Sequence, residues 1–296
     1  MVIQFIQVPF DSGHRAKRMG AGPTHILKNA DLRRLVGFDG GPVETIEPQS
    51  AFATEIGSAF ELHRSLSAAV ERAARAGRLP LVLSGNCNAS MGTVAGLQGA
   101  GLADGLGVIW FDGHGDSNTP ETFTGGFLDA MGLSTLTGRC WQALAATVPN
   151  FQPLSDEVVA LVGGHGTDAG SASILNASRV SWVQTPALRK PADLTALASA
   201  LNQLERHGVR KVYLHLDVDV LDADFARANE FAPSEGLLPD EMGQCWEAIA
   251  QRFEIVAAGI ASYDPSFDGE GRVLAVAIGF LERVASAHAQ RATPSS

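Results

Sequence analysis

The sequence predicts an α/β protein, with a single three-layer α/β/α domain built around a central, mostly parallel sheet. Short runs rich in β-branched and other apolar residues alternate along the chain with longer patterns of helical periodicity. Several of these short runs are continuously apolar, as in strands that are buried on both faces of a parallel sheet. Alternation of this kind is typical of βαβ units in one sheet.

The individual elements follow from these patterns in chain order. Strands are expected at residues 2–8, 79–83, 106–111, 158–162, 180–183, 212–216 and 255–260. Helices are expected at residues 23–35, 60–76, 137–147, 193–207, 239–253 and 272–288. The helix at 60–76 is clearly delimited, because Gly77, a frequent helix stop, follows it directly.

The chain is predicted to form one domain. Its 296 residues are a common size for a single α/β unit, and no Pro-, Ser- or Gly-rich linker divides them. Hydrophobic residues make up 45% of the chain, which is enough for a sizeable core, and charged residues only 18%. We expect the domain to span residues 1–290 and residues 291–296 to form a disordered tail.

The charge balance excludes two classes of partner. The formal net charge is −10, from 22 Lys and Arg against 32 Asp and Glu. No stripe of Lys or Arg is present, so neither nucleic acid nor an anionic membrane is an expected partner. The acidic excess leaves room for a small cationic substrate.

Cysteine usage and the first residues of the chain indicate a reducing compartment. Cys87, Cys140 and Cys245 are too few and too scattered for a disulfide framework. The N-terminal stretch lacks the ordered regions of a signal peptide, and no apolar run approaches the roughly 20 residues needed to cross a bilayer. We therefore expect a cytoplasmic location.

Two acidic motifs follow predicted strands. The run at 106–111 is followed by Asp112-Gly-His114-Gly-Asp116, and the run at 212–216 by Asp217-Val-Asp219. The carboxyl ends of parallel strands meet at one edge of a sheet, where active residues gather. Four aspartates packed there without metal would repel one another and raise each other's pKa.

Divalent cations resolve that repulsion. Carboxylates with one imidazole suit Mn²⁺, and two such ions can share a water and ionise it near neutral pH. A single Asp-x-Asp motif is more often a helix cap or a solvated turn. The occurrence of both motifs, each at the end of a buried strand, favours a metal site over that simpler interpretation.

The same residues carry a family resemblance. DGHGD followed by NTP, and HLDVDVLD at 215–222, resemble the two best-known motifs of the arginase/agmatinase (ureohydrolase) superfamily. Residues 20–23, 83–93, 162–170 and 260–265 resemble further segments of that family in the right order. The nearest subgroup is similar to N-hydroxyarginine amidinohydrolases, which share a cysteine at the position of Cys87 and the DGHGD-x-NTPET context.

The resemblance implies an arginase-like fold and a binuclear manganese hydrolase. In such an enzyme a metal-bridging hydroxide attacks a guanidine-type carbon and releases urea or an N-substituted urea. It also implies a homo-oligomer. The metal ligands carried over by position are Cys87, Asp112, His114, Asp116, Asp217 and Asp219.

Roles within that set are implied in the same way. Asp112 and Asp217 would bridge the two ions and so take part in catalysis. Asp116 would bind one ion, and His114 and Asp219 the other.

The expected substrate contacts come from several segments. Asp168 would hold an α-amino group, and Asn118 lies in the NTP segment that follows the first motif. Gly125 could offer its backbone N–H, whereas Phe127 indicates an apolar wall where the family has polar residues that grip a carboxylate. Further candidates for substrate binding are Ser262, His165 and Glu230. The last two have simpler interpretations as a structural residue and a solvated loop residue.

Three departures from the family pattern concern chemistry. Cys87 replaces a histidine ligand, Ser262 replaces the glutamate that holds the guanidinium, and Asp129 falls near the proton-shuttle histidine. Asp129 could relay a proton or simply cap a turn. We hypothesise that the Cys87 thiolate restores the negative charge lost at Ser262 while weakening its ion as a Lewis acid. Such a site would suit an activated substrate such as an N-hydroxyguanidine.

One histidine lies close to the second motif. His215 stands two residues before Asp217, and we expect it to point away from that aspartate and to lie in the core or orient a ligand.

Other functions remain open from the sequence. The substrate could be another linear amidine, such as agmatine, a guanidino acid or formiminoglutamate. A deacetylase-like zinc hydrolase would need adjacent histidines, which the sequence lacks. A non-catalytic binding protein is credible because of the changes at Ser262 and Asp129.

Overall fold

Ten strands form the framework of the computed structural model, which describes residues 2–29, 32, 35, 38–49, 54–189 and 194–292. In chain order they are β1 (Val2–Val8), β2 (Phe10–Asp11), β3 (His14–Arg15), β4 (Glu44–Thr45), β5 (Arg78–Ser84), β6 (Leu106–Asp112), β7 (Val159–Gly163), β8 (Ser181–Gln184), β9 (Lys211–Asp217) and β10 (Glu254–Ala261). Eight of them make one sheet in the order β4-β1-β5-β10-β9-β6-β7-β8. All its neighbouring pairs are parallel, and β2 and β3 form a separate antiparallel pair.

Helices cover both faces of the sheet. In chain order they are α1 (Gly22–Leu27), α2 (Glu55–Arg75), α3 (Ser90–Gly99), α4 (Gly132–Leu136), α5 (Gln142–Ala145), α6 (Ala169–Ala177), α7 (Thr195–Arg206), α8 (Pro239–Arg252) and α9 (Arg272–Ala292). Side chains of α1, α7, α8 and α9 pack in the core on one face. Side chains of α2, α3, α4, α5 and α6 pack in the core on the other. The three-layer α/β/α prediction is therefore confirmed.

Alternation along each strand explains the two cores. In β6, Ile109 and Phe111 join the core under α7, α8 and α9, whereas Val108 and Trp110 join the core under α2 and α3. Because both of its faces are buried, β6 is apolar as far as its final Asp112, which is the pattern that made it recognisable in the sequence.

The predicted strands agree with the observed ones to within a few residues, but one predicted helix is wrong. Residues 137–147 form no continuous helix, since α4 ends at Leu136 and α5 begins only at Gln142. Between them Gly138 has φ +76° and Trp141 has φ +52°, both in the left-handed region. A right-handed helix cannot pass through two such residues.

Other helix boundaries shift for local reasons. Helix α2 begins five residues before the predicted position because Thr54 caps it, its Oγ1 accepting from the N–H of Gly57 at 3.3 Å. Helix α6 was not predicted, since its sequence AGSASILNA is made largely of small residues without a clear apolar stripe.

Three further predictions touch residues outside the described ranges. Helix α1 ends at Leu27, and much of the predicted remainder up to residue 35 lies outside them. Residue 193, the predicted start of the helix at 193–207, also lies outside, and α7 begins at Thr195. Helix α9 continues to Ala292, and residues 293–296 of the predicted tail lie outside the described residues.

The four central strands prepare the functional site. In the sheet, β5, β10, β9 and β6 are consecutive neighbours, and all four end at the same edge because they are parallel. Phe111 pairs with Leu216, so Asp112 and Asp217 end adjacent strands at the same level. Within the part of the chain that the structure describes, no helix has both the length and the apolar character required to span a bilayer.

Candidate metal centre

The ligand candidates stand at the carboxyl ends of those central strands. Cys87 opens a short 3-10 turn after β5, Asp112 is the last residue of β6, and Asp217 is the last residue of β9. Asp219 lies in the tight turn that follows β9. Four side chains from the ends of three strands thus meet at one edge of the sheet.

The glycines of the first motif allow its close approach to neighbouring segments. A Cβ on Gly113 would lie 2.5 Å from the carbonyl oxygen of Asp219, and one on Gly115 would lie 2.3 Å from Oγ of Ser171. The first contact would force two backbone segments apart, and the second would displace the side chain of Ser171. Both glycines of the motif are therefore required for close packing.

Candidate ligand atoms fall into three overlapping groups, each with its atoms within 4.8 Å of one another. The groups are Cys87, Asp112 and Asp217; Cys87, Asp116 and Asp129; and Asp112, His114 and Asp219. All these residues are buried except His114, which is partly exposed. Because Cys87 and Asp112 each belong to two groups, the arrangement offers adjoining positions for cations.

Hydrogen bonds fix the carboxylates of the two motifs. Asp112 accepts from the indole N–H of Trp110 at 2.7 Å and from the backbone N–H of His114 at 2.6 Å. Asp217 accepts from the backbone N–H of Asp219 at 2.8 Å. Asp219 in turn accepts from the backbone N–H of Gly113 at 3.1 Å. The orientation of each ligand is therefore set by the chain itself.

Cys87 is surrounded by polar atoms although its side chain is fully buried. Its Sγ lies 2.8 Å from Oδ2 of Asp217, 3.1 Å from Nε2 of His215 and 3.5 Å from Oγ of Ser262. A cysteine that only filled space in the core would contact carbon atoms instead. The surroundings favour a ligand.

Without a cation, three of the buried acids are harder to ionise than usual. Burial, reinforced by neighbouring carboxylates, raises the pKa of Asp112 and raises the pKa of Asp116 and of Asp217 well above the usual value. The pKa of the Cys87 thiol is also raised, mainly by burial and next by the nearby carboxylate of Asp217.

One ion pair at the centre behaves differently. Burial opposes ionisation of both partners, but the attraction between His114 and Asp219 overrides it, with Nδ1 and Oδ2 3.4 Å apart. The pKa of His114 rises to about 12, and that of Asp219 falls to about 2. The imidazolium therefore occupies the place of a cation beside Asp112 and Asp219.

These donors fit a pair of divalent cations. Carboxylate oxygens dominate the set, with one imidazole and one thiolate, and the acids lie in a buried position where protons or metal must neutralise them. The described residues thus contain a cluster of possible metal ligands, as the motifs predicted.

A cavity of about 220 Å³ opens above the cluster. Its polar lining is formed by His114, Asp116, Asn118, Asp129, Asp168, Asp217, Asp219 and Ser262. Its apolar lining comes mainly from Met19, Phe123, Phe127 and Phe231, with the rings of Phe127 and Phe231 5.4 Å apart. The cavity therefore joins an acidic floor to aromatic walls.

Two of the predicted substrate residues form one unit at the cavity wall. Asn118 donates from Nδ2 to Oδ2 of Asp168 at 2.6 Å. The other oxygen of Asp168 caps α6 by accepting from the N–H groups of Gly170 and Ser171. These bonds lower the pKa of Asp168 despite its partial burial, so it stays ionised and can hold an ammonium group.

Asp129 also lines the cavity. Its oxygens accept from Nδ2 of Asn86 at 2.8 Å and from the backbone N–H of Asn88 at 3.0 Å. Burial raises its pKa to about 8. It does more than cap a turn, since its carboxyl group lies within the group formed with Cys87 and Asp116.

Three other predicted residues lie outside the lining of the cavity. Nδ1 of His165 faces Oγ1 of Thr185 at 3.2 Å, while Gly125 and Glu230 are exposed to solvent. Ser262 does line the cavity, with a left-handed backbone at φ 64°.

Sequence reasoning missed several residues that surround the centre. Trp110 could have been found by alternation, because it stands two residues before Asp112 and shares its face of β6. The same rule corrects the prediction for His215, which shares a face of β9 with Asp217 and contacts Cys87 rather than pointing away. Met19, Phe123 and Phe231 come from loops and turns, whose position no local pattern reveals.

Comparisons with known proteins agree with this geometry. A sequence model of the Arginase family matches residues 2–285. The arginase of Bacillus caldovelox is 26% identical over 290 residues, which cover 94% of this chain and 96% of that protein. The arginase of Staphylococcus aureus is 26% identical over 278 residues, covering 90% and 91% of the two chains.

A solved structure extends the similarity to three dimensions. The native structure of Bacillus caldovelox arginase matches this chain with a TM-score of 0.83 at 25% identity, covering 96% of this chain and 98% of the other. With a family model that spans almost its whole length and the ligand cluster at the expected strand ends, the chain belongs to the arginase family.

Proposed function

We propose that this arginase-family hydrolase uses two Mn²⁺ ions to cleave a guanidine-type C–N bond in an N-hydroxyarginine- or arginine-like substrate. Urea or an N-substituted urea would be released. The observation that carries the proposal is the overlap of the three ligand groups at the floor of one cavity. Overlapping groups allow two cations to share ligands, as a binuclear site requires.

The proposed division of ligands combines these groups with the roles that the family resemblance implies. Cys87, Asp112, Asp116 and Asp217 would hold one ion, while His114 and Asp219, with Asp112 and Asp217 shared, would hold the other. When bound, the cations supply the activation of water near neutral pH. The chain supplies the rest: it fixes the carboxylates, binds the substrate and moves a proton.

Substrate binding would use both ends of the cavity. The acidic floor attracts a cationic guanidinium, and Ser262 offers a hydroxyl group beside it. Asp168, oriented by Asn118, would bind an α-amino group at the wall. The rings of Phe127 and Phe231 would flank the substrate's methylene stem. Asn118, Gly125, His165 and Glu230 stay predictions as direct substrate contacts.

Asp129 is proposed to deliver the proton that the departing amine needs. Its carboxyl group faces the cavity and is held by Asn86 and Asn88, so its position is defined before substrate binds. Catalytic roles for Asp112 and Asp217 are proposed because each of them would help to hold both cations.

The proposed setting is a homo-oligomer in the cytoplasm. The three cysteines are free and buried, which fits a reducing compartment. Light scattering would measure the number of subunits.

Metal analysis with a substrate panel tests the function. Purified protein loaded with Mn²⁺ would be assayed for urea, hydroxyurea and formamide from arginine, N-hydroxyarginine, agmatine, guanidinobutyrate and formiminoglutamate. We expect two Mn per chain and product from an amino-acid guanidine. Asp217→Asn should lose metal and activity, whereas Asp240→Asn, on α8, should keep both. Full Mn loading without product from any of the five compounds would refute the proposal.

A further inference from the structure

A buried row of polar side chains lies behind Cys87. His215 and Tyr213 come from β9 and Ser90 from the start of α3, and none of the three lines the cavity. All three are almost fully buried. The proposed reaction gives them no role, although burying three polar groups together is costly unless each is hydrogen-bonded.

Their contacts form a continuous chain that ends on sulfur. Nε2 of His215 lies 3.1 Å from Sγ of Cys87. On the opposite side of the ring, Nδ1 lies 3.0 Å from both the hydroxyl group of Tyr213 and Oγ of Ser90. Those two hydroxyl groups are 3.1 Å apart. Each nitrogen of the imidazole thus has a defined partner.

The ring is also held in its plane. The indole of Trp110 packs against the imidazole of His215, with ring centroids 3.9 Å apart and an angle of 31° between the planes. The imidazole therefore cannot swing away from the sulfur without displacing the indole, which itself bonds Asp112.

The direction of the hydrogen bonds follows from the chemistry of a thiolate. A cysteine that ligates a cation has lost its proton, so its sulfur can only accept. Nε2 of His215 must then carry the hydrogen, and Nδ1 must accept from a hydroxyl group. Tyr213 and Ser90 both offer such a donor, so the required tautomer is built into the surroundings.

We infer that His215 is a positioning residue that donates from Nε2 to the sulfur of Cys87, holding it toward the metal and moderating its donation of electrons. The inference rests on the proposed function because it takes Cys87 as a metal ligand. Partners beyond the ligands commonly set ligand orientation and basicity in metal sites. Here the donor partly offsets the weakening of the cation that a thiolate ligand causes.

Spectroscopy of the Co²⁺-loaded protein tests this without relying on activity. A thiolate bound to Co²⁺ gives a charge-transfer absorption band, whose energy falls as the sulfur becomes richer in electrons. Three variants are compared with the wild type: His215→Leu removes the donor, His215→Gln keeps one, and His63→Leu is the control. His63 is another buried histidine, on α2, and it belongs to none of the three ligand groups.

We expect the wild type to show the band and His215→Leu to move it to longer wavelength. His215→Gln should stay close to the wild type, and His63→Leu should leave the band unchanged. The affinity for Co²⁺ should fall about 10- to 100-fold in His215→Leu only. If His215→Leu does not fold, Tyr213→Phe combined with Ser90→Ala should give a smaller shift in the same direction.

Two results would overturn the inference. A band at the same wavelength in wild type and His215→Leu, or in wild type and the folded double variant, would show that His215 does not act on the sulfur. The absence of any band when Co²⁺ is bound would show that Cys87 is no ligand. The release of urea is measured separately, so either result can be told apart from a failure of the proposed function.

Discussion

The indole N–H of Trp110 donates a hydrogen bond of 2.7 Å to Oδ2 of Asp112, two residues further along the same strand. Both side chains point to the face covered by α2 and α3, because residues two apart in a strand share a face. The bond occupies one lone pair of the carboxylate and leaves the others to cations. Trp110 thus connects the hydrophobic core directly to a ligand in two of the three groups.

Replacing this donor should weaken metal binding. Trp110→Phe keeps an aromatic ring but removes the N–H, and we expect about a 10- to 100-fold loss of Mn²⁺ affinity, measured by titration calorimetry. Trp246→Phe is the matched control, because its buried indole N–H has no hydrogen-bond partner among the described residues. Equal losses in both variants would mean that packing, and not the hydrogen bond, matters.

The metal-free protein should become less stable as the pH rises. Burial raises the pKa of Asp129 from 3.8 to about 8, so the folded chain holds this proton more tightly than the unfolded chain. The resulting stabilisation is complete below the unfolded value and is lost as the pH rises through the folded one. His114, with its pKa raised from 6.5 to about 12, acts in the same direction above its unfolded value.

Thermal unfolding checks this dependence. The Tm of the chelator-treated protein should fall between about pH 7 and about pH 9. At lower pH the buried His63 and His215, whose pKa burial lowers to about 3, act in the opposite direction. Excess Mn²⁺ should raise the Tm most at the alkaline end, because cations replace the protons that are lost there. A Tm of the metal-free protein that rises across this range would contradict the electrostatic account of the centre.

The Asp129→Asn variant distinguishes between two roles for Asp129, as a proton carrier or as a metal ligand. The amide keeps the size of the side chain but cannot donate an acidic proton, so kcat should fall about 10²- to 10⁴-fold with KM and Mn content unchanged. Loss of one Mn per chain would instead assign Asp129 to the ligand group that it forms with Cys87 and Asp116. Asp104→Asn, at an exposed site before β6, serves as the control.

Phe127→Ser should change the preference for the far end of the substrate. Arginine and agmatine differ by a carboxylate, and an aromatic wall offers that group no hydrogen bond. A hydroxyl group there should raise the ratio of kcat/KM for arginine over agmatine about tenfold, roughly 1.4 kcal/mol. Phe267→Ser, at an exposed phenylalanine elsewhere, should leave the ratio unchanged. A fall in the ratio would show that the aromatic wall does not disfavour the carboxylate of arginine.

Cys87→His tests the link between the thiolate and the substrate. A neutral imidazole donates less charge to its cation, so activity on arginine should gain relative to N-hydroxyarginine, by about tenfold in the ratio of kcat/KM. Cys140→Ser, at a buried thiol that belongs to none of the ligand groups, is the control. An equal rise in kcat/KM on every guanidine tested would show that the thiolate does not determine substrate preference.

The sheet was predictable because strands that are buried on both faces consist mainly of apolar residues. β6 is continuously apolar until it ends in Asp112, and β9 is apolar apart from Lys211 and His215 until it ends in Asp217, so both strands could be recognised from the sequence. The break at Gly138 and Trp141 was not predictable, since the apolar spacing around it continues that of a helix.

The cavity was less accessible to sequence reasoning than the ligands. Asp112 and Asp217 lie in motifs that are rich in residue types able to bind a metal ion. Phe231, by contrast, lines the cavity from a loop, and its ring packs against that of Phe127. Such contacts depend on how distant segments pack, and a single sequence does not encode them in any local period.

The order of strands also bears on how the chain is made. β9 and β10 are among the last strands to be synthesised, yet they insert between β5 and β6, which are made much earlier. A nascent chain that ends before β9 carries Cys87 and Asp112 at the ends of two strands that still lack the two strands between them. Closing that gap needs contacts between residues far apart in sequence, which are slow to form. The metal centre can therefore form only when the sheet is complete. Cations that bind there would stabilise the last strands in the sheet.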